Sequence, residues 1–169
     1  MAIRETQITR SLADIGAATL AYVRGAPEPS VPTASRDGGH ALEWTLLAIG
    51  KNVAAKDASA LPPLAAALGS VARLERRATA RQRLHLAAAS AWLARDPLRA
   101  AHLYTHVVLG APADLLALRL AQSCWYFLGA RARVRSVAEH ALGRWPAQAS
   151  GYDAMLAMTA FGRAEMEDG

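Results

Sequence analysis

The chain has 169 residues, a formal net charge of +5 carried almost entirely by arginine, and a 53% hydrophobic content with only 6% aromatics. That length suits one domain whose core needs neither disulfide nor metal, and the Leu- and Ala-rich balance without β-branched runs argues against sheet architectures. The single cysteine, Cys124, rules out an internal disulfide, and no signal-peptide pattern opens the sequence, so a reducing, cytoplasmic setting is expected.

The first predicted helix runs from about Glu5 to Arg24, with Ile8, Leu12, Ile15, Thr19 and Tyr22 at three- and four-residue spacing. Its apolar stretch "SLADIGAATLAYV" is too short, and with Asp14 inside it too polar, to span a bilayer. The prolines and glycines of "GAPEPSVPTASRDGG" (25–39) then mark one long loop. A second helix is predicted from His40 to Ala55 and a third from Ala58 to Arg77, the latter with Pro62 and Pro63 in its first turn. Thr79 and Gln82 form a capping box for a helix reaching Ala94; Asp96 and Pro97 start the next, which stops at Gly110 and Pro112. Helices over 113–128, 131–144 and 149–165 complete the chain, with Gly129 and "RWPAQ" as breaks. The short connections after Thr79 require antiparallel neighbours.

Shifting residues 81–112 by 34 pairs Leu84 with Leu118, Leu86 with Leu120, Ala87 with Ala121, Arg99 with Arg133, His106 with His140 and Pro112 with Pro146. Character is kept as well, Trp92 falling on Tyr126 and Leu93 on Phe127, and the breaks coincide, Asp96 and Pro97 falling on Ala130 and Arg131. That period is the length of a tetratricopeptide repeat, a helical hairpin with small and aromatic residues at set places in its second helix. Ala100, Tyr104, Val107 and Pro112 follow the pattern, and Val134, Ala138, Ala141 and Pro146 follow it more loosely. The expected fold is therefore all-α: a tetratricopeptide-like right-handed superhelix of antiparallel hairpins with about eight helices. It forms one domain over 1–169, with divergent helices over 1–78 and repeats over 79–169.

From about Arg77 onward the segments "RQRLHL", "APADLLALRLA", "WYFLGA", "RW" with its proline, and "GYDAMLAMTAFGRAE" resemble the tetratricopeptide repeat protein 38-like family. The resemblance covers about half the chain; the first 76 residues follow the family only in pattern, and the basic "RARVRSV" departs from its more acidic helix. It implies a repeat scaffold, with the chain corresponding to the N-terminal part of such a protein and its last hairpin incomplete. On that basis the last helix, with Tyr152, Met155, Leu156, Met158 and Phe161, carries more apolar surface than one neighbour covers, and self-association through Tyr152, Met155 and Phe161 is expected.

Candidate sites follow from the same register. First helices of such hairpins line a concave groove, which places Gln82, His85, Trp92, Arg119, Ser123, Tyr126 and Asp153 on a surface suited to a peptide or partner helix. His102 and His106, four apart on one helix, could reach one metal, but no third ligand is close in sequence, so they read as exposed histidines; no metal or cofactor is assigned. Cys124, beside Trp125, Tyr126 and Phe127, reads as a small buried hydrophobe. Neither a nucleophile elbow nor a phosphate loop occurs, and Asp96 and Asp114 sit where helix capping alone would put them. Residues 70–144 hold twelve arginines against four acids, including Arg73, Arg76, Arg77, Arg81 and Arg83, then Arg131, Arg133 and Arg135. A solvated face is the expectation for these, and phosphate binding the alternative. The function expected is a non-catalytic interaction scaffold. Two alternatives stay open: part of an enzyme or ligand-binding protein whose active residues lie in further C-terminal repeats, and an arginine-rich nucleic-acid binder.

Overall fold

The computed structural model describes residues 17–24, 46, 47, 50, 78–146 and 148–167. The predicted loop over 25–39, most of the helices predicted over 40–55 and 58–77, and Arg73, Arg76 and Arg77 lie outside the described residues. Within them the chain is all-helical, without strands. Residues 17–24 form a helical stretch, residues 46, 47 and 50 are helical, and five helices follow: α1 (Ala80–Leu93), α2 (Pro97–Gly110), α3 (Leu115–Phe127), α4 (Arg131–Gly143) and α5 (Tyr152–Glu167).

Local chemistry sets these boundaries. At α1 the Thr79 hydroxyl accepts from the Gln82 amide while the Gln82 side chain accepts from the Thr79 amide, the reciprocal capping box. Asp96 accepts from the Arg99 amide at the start of α2, and Asp114 from the Ala117 amide at the start of α3. α1 closes in a Schellman turn: the Arg95 amide donates to the Trp92 carbonyl, the Asp96 amide to Ala91, and Arg95 takes a left-handed φ of 60°. Thirty-four residues later α3 closes the same way, Gly129 donating to Tyr126 and Ala130 to Trp125, with Gly129 at φ 69°. The last helix starts later than the spacing predicts, at Tyr152. The preceding residues are held as a turn by the Ala149 amide on the Pro146 carbonyl and by the Trp145 indole on the Ala149 carbonyl, and Gly151 adopts a φ of 86°.

Packing follows the same repeat. Ala100, Tyr104 and Val107 of α2 are buried, and so are their counterparts Val134, Ala138 and Ala141 of α4. Neighbours in sequence pack together from α1 through α5, and α2 also meets α4 as α3 meets α5. α3 is central: Leu115, Leu116, Leu118, Leu120, Cys124 and Trp125 point in nearly every direction and are all buried, each Leu contributing roughly 1.5–3 kcal/mol. α4 instead buries one stripe, Val134, Val137, Ala138 and Ala141. Small residues let backbones close in: a Cβ added at Gly162 of α5 would lie 2.9 Å from the Arg135 Cα and 3.1 Å from the Val134 carbonyl oxygen. α1, α3 and α5 run parallel. Arg81 and His85 of α1 meet Asp114 at the start of α3, and Trp92 near the end of α1 meets Phe127 at the end of α3; likewise Gly151 approaches Leu115 and Tyr126 meets Phe161.

Candidate functional site

The densest polar cluster is a joint between α1 and α3. Asp114 Oδ1 caps α3 through the Ala117 amide, while Oδ2 accepts from His85 Nε2 at 2.9 Å and Arg81 Nε at 2.6 Å. An ionised carboxylate only accepts, so the shared proton resides on Nε2. Burial alone would raise the Asp114 carboxyl, but the His85 hydrogen bond and charge, the Arg81 guanidinium and the Ala117 amide outweigh it and hold the group well below the usual carboxylate range. The His85 ring packs edge-on against Tyr104 of α2, whose hydroxyl is pushed up by burial. His85 is therefore not a groove residue as its register predicts: it is 2% exposed and faces inward, because Asp114 supplies a buried partner from 29 residues away.

The other predicted groove residues divide. Trp92 is half-buried against Phe127 at 5.6 Å, Tyr126 is exposed beside Phe161 at 5.8 Å, and Arg119 and Ser123 are half-buried. Gln82 is engaged in its capping box. Asp153 is exposed and accepts two hydrogen bonds, at 2.9 and 2.7 Å, from Arg24 of the 17–24 stretch. That stretch lies across the face of α3 and α5. Leu20 comes within 2.7 Å of where a Gly151 Cβ would be, and Tyr22 feels the Arg119 guanidinium while burial pushes its hydroxyl up. Gly50, to whose carbonyl the Tyr22 hydroxyl donates, packs so near α3 that a Cβ there would lie 2.8 Å from Leu116. The middle of the predicted first-helix face is thus covered by the chain's own helical residues, which periodicity within α3 could not disclose.

At the last helix Met155 and Met158 are buried within the chain, Met155 completely, so the surface predicted for self-association narrows to Tyr152, Leu156 and Phe161. Tyr152 leans on Trp145, and Phe161 on Tyr126. The reason is α4, whose one apolar stripe takes the methionine side of α5.

The Arg131 group spreads over several sides: Arg131 lies 4.0 Å from Glu165, Arg133 sits 5.9 Å above the Trp125 ring, and Arg135 pairs with Glu139, which Arg163 also reaches. The hydrogen bond from Arg135, with the nearby arginine charges, lowers the Glu139 carboxyl. Cys124 is buried. His102 and His106 are both exposed, His102 edge-on to Trp125, and among the described residues no three His, Cys, Asp or Glu side chains gather to hold a metal. Sequence reasoning missed Gln122, which is buried in α3 and donates from Nε2 to the Val134 carbonyl of α4 at 3.2 Å and the Met158 carbonyl of α5 at 2.9 Å, stitching three helices. A glutamine next to Ala121, in register with the apolar Leu115 and Leu118 of the same helix, was the available signal.

Among the described residues no helix is long and apolar enough to cross a membrane. No family model matches the chain, and no solved structure matches it.

Proposed function

We propose that this chain is a tetratricopeptide-like helical repeat acting as a non-catalytic interaction scaffold in the cytoplasm, presenting a peptide or partner helix with the face of its parallel first helices. The observation that carries the reading is the repetition of detail at one period. α2 and α4 begin 34 residues apart, their preceding Schellman turns at Arg95 and Gly129 have matching hydrogen bonds, and the same three positions are buried in each. Stacked hairpins leave a long first-helix surface. In this chain its middle is covered by residues 17–24 and its exposed portion carries Tyr126 with half-buried Trp92. The resemblance of the second half to the tetratricopeptide repeat protein 38-like family supports the same reading. Self-association through Tyr152 and Phe161 of α5 is the accompanying proposal; Leu156→Glu should lower the sedimentation coefficient if copies meet there.

The test is affinity purification of the whole chain at moderate salt, comparing it with Tyr126→Ala and Arg119→Ala variants. A protein retained by the parent and released by either variant supports the scaffold. Nucleic acid released steeply by salt favours the arginine-rich alternative instead, and retention indifferent to both variants counts against the first-helix face.

A further inference from the structure

The parallel arrangement of α1, α3 and α5 brings their C-terminal ends to one end of the stack, together with the starts of α2 and α4. A surface depression there lies between the 129–130 turn and the end of α5, bordered by Arg131, Arg133, Glu165 and Met166. Beside it Tyr126 and Phe161 stand exposed in mutual contact, and Met166 is also exposed. The arginines occupy positions that local energetics disfavour. Arg131 and Arg133 crowd the first turn of α4, at the positive end of its dipole, where Ala130 supplies no side-chain cap, and Arg95 at the same end adopts a left-handed φ suited to glycine. Arg131 and Arg133 thus hold positive charge at the unfavourable end of the α4 dipole, offset only in part by Glu165 at 4.0 Å from Arg131 and the Trp125 ring beneath Arg133. Beside an apolar cluster, this is the kind of inconsistency that function imposes.

We infer that this end surface, rather than the covered middle of the groove, is a docking site for an acidic peptide segment bearing an aromatic or large aliphatic anchor. This rests on the scaffold reading and specifies its partner. Charge complementarity sets the sign: Arg131 and Arg133 attract carboxylates, while the apolar Tyr126, Phe161 and Met166 beside them accept the anchor. A nucleic-acid strand is the poorer occupant. The aromatic rings at this end pack on one another at interplanar angles of 50° and 68° rather than offering free parallel faces for bases, while Met166 borders the depression with an apolar side chain suited to an anchor.

The experiment is selection of a displayed random-peptide library on the immobilised full chain, followed by fluorescence-anisotropy titration of the enriched peptides. The expected result is enrichment of peptides combining Asp or Glu with Phe, Trp or Leu, whose affinity falls roughly tenfold or more in Arg131→Glu/Arg133→Glu and weakens with added salt. Arg144→Ala, exposed at the far end of α4, should bind as the parent does. Loss of folding is read separately from the thermal midpoint, which should stay near the parent's while binding falls, because the gain of acids in the first turn of α4 offsets the lost Arg131–Glu165 pair and Arg133–Trp125 contact. Enriched peptides that ignore the double substitution but respond to Arg119→Ala would overturn the end surface and leave the scaffold standing. Enrichment without acidic residues, or an arginine-dependent affinity for a single-stranded oligonucleotide above that for any peptide, would overturn it too. A selection that enriches nothing would sink both.

Discussion

Asp114 concentrates more interactions than any other carboxylate described: a cap, an imidazole and a guanidinium on two oxygens that are almost wholly buried. Removing it leaves the His85 donor buried without a partner and the first turn of α3 uncapped, whereas Arg81, a third exposed, turns to water and loses little. Asp114→Ala should therefore lower unfolding free energy by about 3 kcal/mol, and Asp96→Ala, which removes an exposed cap alone, by about 1 kcal/mol, both read by urea denaturation. The pH dependence follows from the depressed folded-state value. Its stabilisation is complete above the unfolded-state value near ~3.9 and is lost as pH falls towards the folded value, so the urea midpoint should drop below about pH 4 in the parent and less steeply in Asp114→Asn. The capping role of Asp114 was legible in the sequence, since an aspartate ahead of an apolar run has a local meaning. Its pairing with His85 was not. Helical register alone assigned His85 to the open face, and nothing within one turn reveals a partner in another helix.

Among the helices, α2 and α4 are the same element with complementary defects. The first has a good cap, Asp96, but an arginine in the left-handed position before it; the second has glycine in that position but alanine as its cap. The exchange of parts predicts two stabilising changes. Arg95→Gly should relieve the left-handed strain and Ala130→Asp should supply the missing acceptor, each raising unfolding free energy by about 1 kcal/mol in thermal or urea melts. By the charge argument, Ala130→Asp, which borders the depression, should also weaken acidic-peptide binding. Glycines separate conformation from space in the same way. Gly129→Ala meets nothing within 4 Å and should cost about 1 kcal/mol for its φ alone. Gly151→Ala adds a Cβ 2.6 Å from Leu115 and 2.7 Å from Leu20 to the same conformational strain, and should cost about 3 kcal/mol by the same denaturation assay. Helix boundaries from Thr79 to Gly143 were legible because caps, glycines and prolines act over a few residues. The start of α5 was misplaced because Gly151 and the Trp145 bond to Ala149 act on a loop that apolar spacing describes poorly.

Over the whole molecule, what the repeat cannot express is where residues 17–24 go. Their apolar spacing announced a helix, and the repeat announced a groove, but which surface the helix covers depends on shape matching between Ala18, Leu20 and Tyr22 and the face of α3. The polar link at its end, Arg24 with Asp153, is largely exposed on the carboxylate side, and exposed pairs of this kind hold little. Apolar burial should accordingly keep the stretch in place. Hydrogen exchange can separate the two contributions, since each helix of the stack leans mainly on its sequence neighbours and opens with its own free energy. Asp153→Asn should leave protection of residues 17–24 almost unchanged. Leu20→Ala with Tyr22→Ala should make those amides exchange as an open segment, lower protection on the Arg119 side of α3, and spare α4, which buries its stripe against other partners. Collapse of protection in α4 together with the stretch would mean that the chain opens as one cooperative unit, and that residues 17–24 are a structural member of the core and not a cover over the first-helix face.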